Sequence, residues 1–170
     1  MQPGATRRTT RSDAGGGVYL FEQQLGVLDV LVNIRMTVVR LKSGGLFVHA
    51  PVAPTRECRS LLAELGGEVQ YVVLPTSAVE HKVFFGPFVR CYPACKCYAV
   101  PGQWSFPLNL PLSLLGLFPR SLDGTLGNDS RLSDGEAPPW AGEIDHALLQ
   151  LSLGLGPFVE AGAPPKKKSF

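Results

Sequence analysis

The stretch from residue 31 to residue 75 constrains the fold most, because its hydrophobic period changes twice. "LVNIRMTVVRL" (31–41) alternates apolar and polar residues, the period of a half-buried strand. "KSGGLFVHAP" then indicates a tight turn and a returning strand. From Pro54, "PTRECRSLLAELGG" takes helical spacing, and "EVQYVVLP" (68–75) is a nearly continuous apolar strand. The stretch therefore predicts a hairpin, a helix and a strand buried on both faces.

The flanking segments extend this series in both directions. "GVYLFEQQL" (17–25) predicts a first edge strand, and "CKCYAVPG" (95–102) predicts a last strand. Residues 78–92 have a helical pattern that Gly86 and Pro87 should kink or break. The predicted order is β, β, β, α, β, α, β. This order indicates an α/β layered fold with a mixed sheet and flanking helices.

Composition bounds the class of protein and its partners. The chain has 170 residues, 45% hydrophobic and 18% charged, which fits one globular domain and excludes wholesale disorder. The net charge is +2 with mixed signs, so the sequence predicts no nucleic-acid partner. The apolar run "FPLNLPLSLLGLF" contains prolines and is shorter than the roughly 20 residues of a membrane span, so no transmembrane segment is predicted.

Domain boundaries follow from changes in composition. Residues 1–17 are interpreted as a disordered leader, 18–160 as the domain and 161–170 as a disordered basic tail. Within the domain, the Gly, Ser, Asp and Asn content of 121–139 predicts a long surface loop. A short helix is predicted around 141–151.

Four cysteines are present: Cys58, Cys91, Cys95 and Cys97. No secretory signal precedes them, so free thiols in a reducing compartment are expected. The spacing in "CYPACKC" leaves a zinc pair or disulfide exchange as open alternatives, although the sequence offers no second closely spaced pair.

Glu80, His81 and His49 are the candidate chemical residues. Glu80 and His81 follow the buried strand and open the next predicted helix, and His49 ends the returning strand. A catalytic zinc needs about three protein ligands and an open position for water. The alternative is structural. A carboxylate is favoured in the first turn of a helix, and a strand-end histidine often binds a backbone carbonyl.

The order of elements around "TSAVEH" resembles the first half of the metallo-β-lactamase fold. In that fold a buried strand ends in a motif written His-x-His-x-Asp-His, which holds one or two metal ions. On this chain Thr76 and Ala78 stand at the first two His positions, Glu80 at the Asp position and His81 at the last His position. The resemblance implies a metallo-β-lactamase-like half-fold with a degenerate metal site.

Several longer blocks are similar to a family of plants, algae and cyanobacteria, domain-of-unknown-function family 4336. They include "NIRMTVVRLKSGGLFVHAPVAPTREC", "VVLPTSAVEHKVFFGPF" and "VPGQWSFPLNLPLSLLGLFPR". The resemblance spans about residues 18–160 and implies a fold rather than an activity. Its distribution implies a chloroplast location, with the cytoplasm as the alternative.

Three functional hypotheses follow, and they leave open whether the chain is an enzyme. The first is a non-catalytic domain without a cofactor that binds a small molecule or a protein. The second is a metal-dependent hydrolase with zinc or iron at His49, Glu80 and His81. The third is a truncated fragment, because the sequence changes character after Glu160 and most of the second half of the fold is lacking.

Overall fold

A seven-stranded mixed sheet organises the chain in the computed structural model, which describes residues 8–27, 30–103, 121–153 and 156–162. Its strands lie side by side in chain order, antiparallel from the first to the fourth and parallel from the fourth to the seventh. Two further strands form an antiparallel hairpin. The elements are β1 (Thr9–Gly15), β2 (Val18–Val27), β3 (Val30–Arg40), β4 (Leu46–His49), α1 (Arg56–Ala63), β5 (Val69–Leu74), α2 (Val79–Cys91), β6 (Lys96–Ala99), β7 (Gly124–Thr125), β8 (Ala147–Leu153) and β9 (Gly156–Gly162).

The two faces of the sheet carry different layers, because successive side chains of a strand point to opposite faces. On one face, residues such as Met36 and Val48 pack against both helices. On the other face, Phe47 and Tyr98 pack against Trp140 and strand β9. The Trp140 ring meets the Phe47 and Tyr98 rings edge-on, with centroids 5.0 and 4.7 Å apart. The mixed sheet and flanking helices predicted from the sequence are therefore confirmed, with the sheet at the centre.

Helix α1 begins and ends on identifiable contacts. The Thr55 hydroxyl accepts a hydrogen bond from the Cys58 N–H at 3.1 Å, the usual N-cap arrangement. Cys58 and Leu62 lie on one face of the helix and are buried in the core. No basic residue lies in the last turn of α1, and Arg11 of β1 donates to the Leu61 carbonyl at 2.8 Å instead. The helix is thus held at both ends by side chains.

Helix α2 continues through Gly86 and Pro87, where the sequence predicted a kink or break. Proline removes the hydrogen bond to the carbonyl four residues earlier, which here belongs to Val83. Val83 is 51% exposed, so the residue that loses this bond lies on the solvent-facing side of the helix. Neither helix in the described part of the chain is long and apolar enough to cross a membrane.

The prediction of a disordered leader over 1–17 is wrong for its second half. Residues 9–15 form β1, which pairs with β2 as the edge of the sheet. Thr9 is buried, and its N–H donates to the Glu57 carboxylate at 2.6 Å. An edge strand tolerates polar side chains when only one of its residues is buried. The polar composition of residues 9–15 therefore did not predict a strand. Residues 1–7 lie outside the described residues.

Three predictions for the second half also need correction. The surface loop at 121–139 contains β7, and Leu126 and Leu132 within it are buried. The predicted helix at 141–151 is wrong, because residues 147–153 form strand β8. The basic tail begins later than residue 161, since β9 runs to Gly162. The remainder of the tail, and residues 104–120, lie outside the described residues.

A substitution at Gly67 tests how closely the β3–β4 turn packs against the segment before β5. A methyl group at Gly67 would overlap the backbone carbonyl of Gly44 and press on the Leu46 side chain. We expect Gly67→Ala to lower the free energy of unfolding by about 1–3 kcal/mol. Gly142→Ala is the matched control, because its added methyl meets nothing within 4 Å. Urea denaturation of both variants measures the effect, and equal stabilities would contradict this packing.

Candidate functional site

The carboxyl ends of β4, β5 and β6 meet at one edge of the sheet, because these strands are parallel and adjacent. We call this region the carboxyl edge. His49 pairs with Val73 in register, and Leu74 pairs with Ala99. The turn of residues 75–78 follows β5 there. In open α/β sheets this is the edge where ligands usually bind.

Strand β9 is hydrogen-bonded directly to the turn after β5. The Ser77 N–H donates to the Val159 carbonyl at 3.0 Å, and the Val159 N–H donates to the Ser77 hydroxyl at 3.0 Å. The Ala161 N–H donates to the Pro75 carbonyl at 2.7 Å. Ser77 is fully buried. These bonds fix the second layer against the carboxyl edge.

Thr76 and Ala78, which the sequence resemblance aligns with the first two His positions of the metallo-β-lactamase motif, are both buried, at 6% and 8% exposure. The Thr76 hydroxyl accepts a hydrogen bond from the Ala78 N–H at 3.0 Å. The Thr76 carbonyl accepts one from the Gln103 side-chain amide at 2.9 Å. Both residues therefore build the turn itself.

His49 binds backbone through one ring nitrogen. Its Nε2 lies 3.0 Å from the Ala161 carbonyl, so Nε2 carries the proton of the neutral ring and donates. Burial lowers the pKa of His49 from 6.5 to about 4; the bond to Ala161 opposes this shift, and nearby His81 adds to it. The imidazole is therefore neutral at pH 7. The next residue, Ala50, has a φ of 58°, a conformation that favours glycine.

His81 and Glu80 lie in the first turn of α2, as predicted. The His81 Nδ1 lies 3.2 Å from the Pro51 carbonyl and donates to it. Glu80 is half-buried in the same turn, where the helix dipole favours a carboxylate. The fold brings His81 and His49 into electrostatic range of each other. No contact joins Glu80 to either imidazole among the described hydrogen bonds.

The residues at the motif positions do not fit a catalytic zinc site. Such a site needs about three protein ligands. Ala78 has no ligating atom, and the Thr76 hydroxyl is engaged with the turn. His49 and His81 supply two imidazoles. Within the described ranges, no group of three or more His, Cys, Asp or Glu side chains is arranged to hold a metal ion.

Gln103 and Ser77 also belong to this edge, although neither was predicted from the sequence. Gln103 is buried, and its Oε1 has no hydrogen-bond partner among the described residues. Its main-chain carbonyl accepts a bond from the Lys82 ammonium at 2.8 Å. Gln103 lies four residues after the end of β6, so the rule that parallel strands end at the same edge was the available signal. Ser77 gave none, because its partner lies 82 residues away in sequence.

Among the described residues, no hydrogen bond joins His146 or a cysteine to His49, His81 or the turn of residues 75–78. The His146 Nε2 is 3.0 Å from the Gly127 carbonyl, which marks a structural role. All four cysteines are free, as expected. Cys58, Cys95 and Cys97 are buried, and Cys91 is exposed.

The model of a family described as Domain of unknown function (DUF4336) matches residues 15–168. The chain belongs to this family. The match covers most of the sequence and agrees with the blocks quoted above. No curated protein sequence matches the chain.

Two solved metallo-β-lactamases are similar in fold to this chain. The crystal structure of the DIM-1 metallo-β-lactamase exposed to ceftazidime superposes with a TM-score of 0.54 at 18% identity, covering 82% of this chain and 58% of that one. The FIM-1 metallo-β-lactamase from Pseudomonas aeruginosa in its mono-zinc form gives 0.52 at 15% identity, covering 72% and 52%. The chain thus spans less than two thirds of either protein. At these identities the likeness shows the fold alone.

The neutral, buried His49 predicts a specific pH dependence of stability. As the pH falls below 6.5, His49 binds a proton in the unfolded chain before it does so in the folded chain. The contribution of His49 to the free energy of unfolding is therefore complete above pH 6.5 and declines as the pH falls to about 4. The loss attributable to His49 should reach about 1.4 kcal/mol per pH unit. His49→Gln keeps a donor for Ala161 but does not titrate.

Denaturant unfolding of the wild type and His49→Gln at pH 8, 7, 6 and 5 measures this contribution. We expect the stability difference between the two proteins to be constant above pH 7 and to shift against the wild type below it. A difference that stays constant down to pH 5 would show that His49 is not buried in its neutral form.

Proposed function

We propose that this chain is a non-catalytic metallo-β-lactamase-like domain that binds a small molecule or a protein partner at its carboxyl edge. The observation that supports it most is the turn of residues 76–78. The side chains at two ligand positions are buried and hydrogen-bonded within the turn, or lack a ligating atom. The neighbouring Ser77 is tied to β9.

A metal-dependent hydrolase needs its ligands to converge on a point that water also reaches. Here the turn faces β9 through a ladder of backbone and hydroxyl bonds. A histidine placed at Thr76 or Ala78 would enter a buried position and disturb those bonds. The turn is therefore better suited to holding β9 in place than to forming an open metal-coordination site.

Polar groups at the carboxyl edge give a partner something to bind. The Gln103 Oε1 is a buried acceptor without a partner among the described residues, and a ligand donor reaches it only if the side chains around it move. The hydrogen bond of His81 to Pro51 uses Nδ1, which leaves Nε2 as an acceptor. The favoured ligand is therefore one that presents hydrogen-bond donors.

The alternative is an atypical metal-dependent hydrolase built from His49, Glu80 and His81. One observation favours it: both imidazoles are oriented by backbone carbonyls through one nitrogen, and such outer bonds are typical of histidines that ligate metals. The Glu80 carboxylate would have to join them by a rotation of its side chain.

Elemental analysis separates the two proposals. The full chain is purified, incubated with zinc or iron, dialysed and measured for bound metal, beside His81→Ala and Val79→Ala. Val79 is an exposed neighbour in the same turn of α2 and serves as the matched control. We expect less than about 0.1 metal ion per chain in all three proteins, because a pair of imidazoles holds zinc weakly.

The same proteins are assayed against esters, lactams and phosphodiesters. The proposal predicts no turnover above buffer for any of them. One metal ion per wild-type chain, lost in His81→Ala and kept in Val79→Ala together with hydrolysis, would contradict the non-catalytic proposal and establish the alternative.

A fragment without autonomous function is the remaining alternative. Leu149 and Leu151 of β8 are 56% and 44% exposed. An exposed apolar surface of this kind usually packs against another segment, so it favours the fragment hypothesis. Calorimetry of the chain tests it. We expect one cooperative thermal transition, since the cores on both faces of the sheet are formed. A molten chain that binds hydrophobic dye at 25 °C would support the fragment instead.

A further inference from the structure

A cavity of about 500 Å³ lies at the opposite end of the parallel strands from the carboxyl edge. We call it the amino-edge cavity. It is lined by Arg59, Leu62 and Ala63 of α1, by residues 67–70 at the start of β5, and by residues 91–95 before β6. Its volume falls within the range of small-molecule sites, roughly 300–1,000 Å³. None of its lining residues belongs to the carboxyl edge.

The floor of the amino-edge cavity is apolar and fixed. Leu62, Val69 and Cys95 are buried members of the hydrophobic core, at 1%, 8% and 0% exposure. Tyr92 forms part of the wall, and its ring packs against Phe88 with centroids 5.0 Å apart. Because these side chains are held by the core, the cavity exists before any ligand binds.

Two side chains of opposite charge line the cavity. Arg59 and Glu68 are both exposed, and they form no ion pair with each other in the part of the chain that the structure describes. Two separated, opposite charges beside an apolar floor are complementary to a ligand that carries both charges and an apolar body.

We propose that the amino-edge cavity binds a zwitterion of the class of α-amino acids with an aromatic or aliphatic side chain. The guanidinium of Arg59 binds the carboxylate of the ligand, and the carboxylate of Glu68 binds the ammonium group of the ligand. The apolar side chain of the ligand packs against Leu62 and Val69. This site is independent of the function proposed for the carboxyl edge.

Cys91 provides a direct report of occupancy. It is exposed and lines the cavity, whereas Cys58, Cys95 and Cys97 are buried. Burial also raises the pKa of the Cys58 thiol to about 12, so that thiol stays protonated and unreactive at pH 7. A maleimide reagent applied to the folded chain should therefore label Cys91 first.

The experiment measures the rate of maleimide labelling of Cys91 in the full chain, with increasing L-phenylalanine. We expect saturable protection. Arg59→Gln and Glu68→Gln should each raise the half-protecting concentration at least tenfold. Arg56→Gln, an exposed arginine of α1 that does not line the cavity, should leave it unchanged. Phenylpropionate lacks the ammonium group and phenethylamine lacks the carboxylate, so both should protect at least tenfold more weakly.

Four results would overturn the proposal. They are no protection by L-phenylalanine at 10 mM, equal protection by phenylpropionate or phenethylamine, equal effects of Arg56→Gln and Arg59→Gln, or loss of protection in His81→Ala. The last variant keeps the two sites distinguishable, because a change at the carboxyl edge should not alter the amino-edge cavity. All variants are first checked for wild-type circular dichroism, and the charge changes are at exposed positions.

Discussion

The hydrogen bonds between β9 and the turn of residues 75–77 are the constraint on which the rest of the structure depends. They join chain segments that lie 82 residues apart, through Ser77 and Val159. Without them the aromatic core around Trp140 would lack its outer cover, because Val159 and Ala161 of β9 belong to that core. Most of these bonds join two backbone groups, so they hold β9 against the turn whichever side chains are present there.

The same bonds determine what the carboxyl edge can do. In the metallo-β-lactamase motif this turn presents ligands, whereas here Thr76 and Ala78 are buried in it and Ser77 anchors β9. His49 also donates to β9, through the Ala161 carbonyl. At the carboxyl edge, His49 and Ser77 therefore take part in the connection between the two layers. At the opposite end of the parallel strands, the described residues form a ligand-sized cavity.

The sequence predicted the central part of the fold, from β2 to β6, because hydrophobic period and cap residues such as Thr55 are local signals. It also placed His81 and Glu80 at the start of α2. Strand β1 is polar, and β8 was mistaken for a helix, since both are defined by pairing with distant strands. The contact between Gln103 and Thr76 depends on the order of parallel strands, which local patterns do not encode.

Histidine tautomers observed by ¹⁵N NMR, with and without zinc, test the central claim most directly. The claim is that His49 and His81 are held by backbone carbonyls as structural residues of the carboxyl edge. We predict a neutral His49 protonated at Nε2 and a His81 protonated at Nδ1, with resonances that one equivalent of zinc leaves in place. Saturable shifts of both imidazoles at one zinc per chain would contradict the account and make this edge a metal site.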